Sequence, residues 1–101
     1  MKQDLLKIIN TYGLIPQLKY FQSEVWELNE AILNYCYDEN KYYPEVDKAL
    51  KEHIAEEIAD VMVMLEQFRL YYDIPVGQIK EVMEYKVKRQ LERIENDKKL
   101  I

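Results

Sequence analysis

Four carboxylates at two i, i+3 spacings are the residues of this chain best suited to chemistry: Glu24 with Glu27, and Glu57 with Asp60. At about 100° per residue, each pair lies one turn apart on one helix face. The second pair sits, with Glu56, inside residues 53–65, the most apolar part of the sequence. Carboxylates rarely enter such surroundings unless a partner or a metal compensates them. Two pairs on packed helices can converge into an oxygen cage, the ligand set that Mg²⁺ and Mn²⁺ prefer. Magnesium commonly keeps several waters and bridges to substrate phosphates. A basic line of Lys86, Arg89 and Arg93 supplies cations suited to phosphate. Acids for metal and cations for phosphate together point to metal-assisted chemistry on a phosphoanhydride. One Glu-x-x-Glu alone is ordinarily a solvated face, and a basic line alone is ordinarily a solvated face or a salt-bridge partner. The weight rests on two acidic pairs that both border apolar segments.

The elements that must position these acids are helical, because no segment sustains a two-residue alternation. Residues 2–11 read as a short amphipathic helix with Leu5, Ile8 and Ile9 on one side, stopped near Gly13. Pro16 suits the first turn of a second helix running to Tyr37, with an apolar stripe of Leu14, Leu18, Phe21, Val25, Leu28 and Ile32. Gln17 and Tyr20 continue the line of Glu24 and Glu27 toward the N-terminus. Trp26 and Leu33 project from another side, so this helix is expected to be sandwiched, its second neighbour coming from another subunit. Residues 38–46 read as a loop, with Asp47 capping a third helix that ends near Tyr72. In that helix Ile54, Ile58, Val61, Met62 and Leu65 are expected to cover the face beside the acids. Pro75 can open a fourth helix striped by Val76, Ile79, Met83, Val87, Leu91 and Ile94, and residues 96–101 are expected to fray. The expected architecture is an all-α, four-helix domain spanning residues 1–101.

The chain's 101 residues fit one domain of modest core size. With 49% hydrophobic residues, 2 Gly and 3 Pro, the composition is that of a folded chain. A net charge of -5 argues against nucleic acid as the main partner. The single cysteine, Cys36, excludes an internal disulfide and suits a reducing cytoplasm. The longest apolar run, 61–65, is too short for a membrane, and from the acid-containing start no signal peptide is expected.

The text Glu24-Val-Trp-Glu27-Leu-Asn-Glu-Ala-Ile, then Glu56-Glu57-Ile-Ala-Asp60-Val, then Lys86-x-x-Arg89, resembles the MazG-type all-α nucleoside triphosphate pyrophosphohydrolases. The resemblance covers residues 14–94 and rests on Glu-x-x-Glu followed by Glu-x-x-Asp. It implies that Glu24, Glu27, Glu57 and Asp60 are Mg²⁺ ligands, with Mn²⁺ as a possible substitute. It also implies that Lys86 and Arg89 bind substrate phosphate. Such enzymes hydrolyse (d)NTPs between the α and β phosphates, giving a monophosphate and pyrophosphate. The expected mechanism is in-line attack of an activated water on the α phosphorus, with Glu24 or Glu27 accepting its proton. A homodimer or a dimer of dimers is expected, as in relatives. This chain departs from many relatives in Ser23, where they carry a further glutamate, and in Trp26, where they often carry a small residue. Both departures keep an alternative open: a nucleotide-binding or structural helical module without efficient turnover.

Other residues read more plainly. His53, one turn before Glu57, is expected to be a surface or packing histidine; with no other histidine, a ferritin-like di-iron site is a poor fit. Tyr42 and Tyr43 are expected to pack on their own domain, and Trp26 to anchor packing or an interface. Met62, Met64 and Met83 read as core fillers, and Cys36 receives no chemistry.

Overall fold

In the computed structural model, which describes the backbone of residues 1–100 and the side chains of 1–99, every regular element is helical. Four α-helices follow in order: α1 Lys2–Tyr12, α2 Leu14–Tyr37, α3 Pro44–Tyr71 and α4 Val76–Leu100, with a 3-10 turn at Glu39–Tyr42 before α3. The all-α class is as the sequence predicts, and no strand occurs among the described residues. No helix is long and apolar enough to cross a membrane among the described residues. The chain divides into two compact units, Met1–Tyr71 and the segment from Tyr72 onward.

A single glycine joins α1 to α2. Gly13 has φ 90, a left-handed value that favours glycine, while its N–H donates to Ile9 O at 2.8 Å. Its own carbonyl accepts from Gln17 N at 3.2 Å, so one residue closes one helix and starts the next. Pro16 falls in the first turn of α2, where its missing N–H removes no helical bond.

The entry to α3 differs from the sequence reading. Pro44 is the first helical residue, and Tyr43 O accepts the N–H groups of Val46 and Asp47, both at 3.0 Å. Asp47 is therefore not the cap. Its carboxylate instead accepts from the Tyr35 hydroxyl at 2.6 Å and pairs with Lys51 at 2.9 Å, fastening the end of α2 to the start of α3. Pro75 lies just outside α4, its carbonyl accepting from Gln78 N and Ile79 N. The expected frayed tail is helical through Leu100, and Ile101 lies outside the described residues.

Packing of α2 on α3 follows a repeat of about 3.5 residues, the spacing of a coiled-coil seam. On α2 the residues withdrawn from solvent include Leu14, Gln17, Phe21, Glu24, Leu28, Ala31 and Tyr35. On α3 they include Leu50, Ile54, Glu57, Val61, Met64 and Phe68. Phe21 and Phe68 meet edge to face, centroids 5.4 Å apart. The predicted stripe of α2 is thus half right. Leu14, Phe21 and Leu28 face α3, but Leu18, Val25 and Ile32 are exposed, because Gln17, Glu24 and Ala31 take the alternate seam positions. On α3, Ile54 and Val61 are half-buried as expected, whereas Ile58, Met62 and Leu65 are exposed. Met64 fills the core; Met62 and Met83 do not. Tyr42 and Tyr43 are also exposed rather than packed. None of the described side chains of α4 is buried, so its apolar stripe faces solvent.

Leu5 and Ile9 of α1 join Ala31 and Met64 as the buried apolar residues, and Ile9 is completely enclosed. Truncating it removes contacts that nothing else replaces. Ile9→Ala should cost about 2–5 kcal/mol in urea unfolding, whereas Ile15→Ala, on the exposed side of α2, should stay within about 0.5 kcal/mol.

Candidate metal centre

Glu24 and Glu57 occupy seam positions that a purely structural helix pair would fill with Leu or Ile. Both are buried, Glu24 at 4% and Glu57 at 9% exposure, while Asp60 is exposed one turn further along α3. Carboxylate oxygens of Glu24, Glu57 and Asp60 all lie within 4.8 Å of one another. Oε2 of Glu24 and Oε2 of Glu57 are buried with no hydrogen-bond partner. Such orphaned acceptors are expensive, since buried charge needs pairing and buried acceptors need donors. A hard divalent cation ligated by oxygens supplies both needs, so these three residues fit Mg²⁺.

The surroundings reinforce the penalty. Burial raises the Glu57 pKa above its ordinary value, and the charges of Glu27, Asp60 and, to a smaller degree, Glu24 add to it; His53 opposes. His53 Nε2 lies 4.0 Å from Glu57 Oε1 and is itself half exposed, consistent with a surface histidine. The Tyr20 phenol is also raised, first by its hydrogen bond to Glu24 and then by the charge of that carboxylate. Tyr20 therefore stays neutral beside Glu24.

Of the four acids predicted from sequence, three converge. Glu27 is exposed and lies outside the group, although its charge reaches Glu57. Lys86 and Arg89 are exposed, one turn apart on α4, in the second unit.

The acidic group continues into a cavity of about 570 Å³, lined by Glu24 and Asp60 at one part and by Gln17, Gln67 and Tyr20 among others. Gln17 Nε2 donates to Gln67 Oε1 at 2.7 Å, and both amides are buried. Sequence reasoning placed Gln17 on the acidic line but missed Gln67. The signal was present, because Gln67 follows Asp60 by one heptad just as Gln17 precedes Glu24 by one. No family model matches this chain, and no curated protein or solved structure matches it.

The raised Glu57 pKa gives a pH test. The metal-free folded state binds a proton that the unfolded state releases at the ordinary carboxylate pKa. This group's contribution to stability must therefore fall as pH rises from that value through the raised one, with the full penalty above it. Glu57→Gln should remove that component and melt no lower than wild type at neutral pH without metal. Mg²⁺ should raise the wild-type melting temperature, and Glu57→Gln and Asp60→Asn should lose most of the gain. Equal Mg²⁺ responses in all three proteins, read by thermal melts, would remove these acids from a metal site.

Proposed function

We propose that this chain is a Mg²⁺-dependent hydrolase of nucleoside triphosphates, similar to the MazG-type pyrophosphohydrolases, that releases pyrophosphate from the α–β phosphoanhydride. The observation that carries this reading is the convergence of Glu24, Glu57 and Asp60 with two buried, unpartnered carboxylate oxygens. Bound Mg²⁺ would supply positive charge for the carboxylates and for the charge that develops on the phosphate oxygens. Glu24, Glu57 and Asp60 are assigned as its ligands, and Mn²⁺ offers the same oxygen-loving chemistry.

Glu27 is assigned a different part from the other acids. It is exposed, outside the ligand group and close enough to act on Glu57 by its charge, which suits a proton acceptor in contact with water. A water oxygen bonds to the α phosphorus, the α–β P–O bond breaks, pyrophosphate leaves and the water proton passes to the Glu27 carboxylate. Tyr20 stands beside Glu24 as a neutral phenol whose pKa that carboxylate raises. Lys86 and Arg89 bind phosphate oxygens by charge-assisted hydrogen bonds.

A homodimer or a dimer of dimers accompanies this reading. Leu18, Val25 and Ile32 on α2, with Ile58 and Leu65 on α3, flank the seam on the edge opposite Glu27 and Asp60 by helical spacing, and all are exposed. Trp26 adds a large exposed ring at 62%. Exposed apolar residues grouped along one helix edge support association with a second copy.

Pyrophosphate release from a panel of NTPs and dNTPs, with and without Mg²⁺, tests the central claim. Glu24→Gln and Asp60→Asn should abolish most turnover. Lys86→Ala or Arg89→Ala should lower it by at least about tenfold while leaving Mg²⁺ binding intact. Nucleotide binding without any Mg²⁺-dependent release would instead leave a binding module. Sedimentation at micromolar concentration should find a dimer or tetramer; a compact, active 12.3 kDa monomer would overturn the assembly claim.

A further inference from the structure

The Gln17–Gln67 pair is buried beside a cavity and keeps hydrogen-bonding capacity on the side that faces it. Its single strong bond is Gln17 Nε2 to Gln67 Oε1 at 2.7 Å. The other contacts of the two amide nitrogens go to Met64 Sδ, at 4.0 Å from Gln17 and 3.8 Å from Gln67, and sulfur is a weak acceptor. The Gln17 carbonyl oxygen takes no hydrogen bond among the described residues. Thus two buried amides keep an acceptor and under-used donors next to about 570 Å³ of cavity. No atom of the pair is both enclosed and unpartnered, so the Gln17 oxygen is open on the cavity side.

The rest of the lining narrows the ligand. Ile8, Pro16 and Val63 give apolar walls, and Tyr12 and Tyr20 give aromatic surface, a lining suited to a flat ring. Glu24 and Asp60 line the same cavity. Gln17 and Glu24 stand one heptad apart on α2, as do Asp60 and Gln67 on α3, which is a rise of about 10 Å. That is the scale on which a nucleotide separates the hydrogen-bonding edge of its base from its first phosphate.

We infer that this cavity receives the nucleobase, and that the Gln17–Gln67 amide pair selects the base by its adjacent donor and acceptor. The inference rests on the nucleotide reading of the acidic site and adds the specificity determinant to it. A glutamine amide presents one donor and one acceptor side by side and so pairs bidentately with a base edge, as glutamines do when they read adenine. Bases whose donor and acceptor stand in the wrong order leave these amides unpaired, and that cost is what discriminates.

Nucleosides carry no phosphate and need no metal, so they test the cavity separately from turnover. Binding of adenosine, guanosine, cytidine, uridine and thymidine is measured by NMR titration without Mg²⁺. The proteins compared are wild type and the double variant Gln17→Leu/Gln67→Met. Replacing both partners by apolar groups of similar length leaves no orphaned amide, and native NMR dispersion verifies the fold. Wild type should prefer one base over the weakest by at least about tenfold, the discrimination a lost buried hydrogen bond commonly gives, and the variant should bring that ratio to within about threefold. Equal binding of all five nucleosides, or no binding of any, overturns the inference, as does a preference that survives in the folded variant. Base preference that depends on the two glutamines, without pyrophosphate release from any triphosphate, would sink hydrolysis and keep the base site. Release without base discrimination would do the reverse.

Discussion

Two buried glutamates placed in a helix seam are the constraint on which the rest of this structure depends. Glu24 and Glu57 hold positions where packing alone calls for aliphatic side chains, and each leaves one oxygen without a partner. Buried, mutually repelling carboxylates lower the stability of the pair they join. Compensation comes from around them. Phe21 packs edge to face on Phe68, Tyr35 and Lys51 converge on Asp47, and α1 presses Leu5 and Ile9 into the core. The fold tolerates a costly centre because its two ends are fastened.

This arrangement also divides the seam into two edges of opposite character. One edge carries Tyr20, Glu27 and Asp60, opens into the cavity and is bounded by residues of α1. The other carries exposed Leu18, Val25, Ile32, Ile58 and Leu65. Helical spacing produces the division without further device, since residues flanking a seam position on either side point to opposite edges. The acidic group and the exposed apolar residues therefore occupy opposite edges of one helix pair.

The number and order of helices were legible in the sequence, because apolar periodicity, Gly13 and the prolines mark them strongly. The pairing of Glu57 with Asp60 was legible too, since i, i+3 spacing fixes a face before any tertiary contact forms, and Glu24 joins them only through the packing of α2 on α3. The rotation of α2 was not. Leu18, Val25 and Ile32 outrank Gln17, Glu24 and Ala31 in hydrophobicity, so periodicity alone selects the wrong alternate positions. Only the pairing of α2 with α3, where Glu24 meets Glu57 and Gln17 meets Gln67, reveals that rotation. Asp47 misled for a related reason: it has the residue type of a helix cap, but Tyr35 lies across the turn and claims its carboxylate. Glu27 shows the limit of motif reading, because identical spacing places it on the same helix face as Glu24 but not at the same depth.

The one-residue joint at Gly13 has a consequence for traffic. α1 carries Ile9 into the core on one side and presents Ile8 and Tyr12 to the cavity on another. No slack exists between α1 and α2, so Ile8 and Tyr12 cannot swing aside on a loose tether while Ile9 stays seated. Widening that wall by moving α1 means undocking Ile9, and the rate of such an excursion is set by local unfolding rather than by loop diffusion. Opening of that wall by α1 and local unfolding of the chain would then share one gate, and a tighter hold on α1 would slow both together.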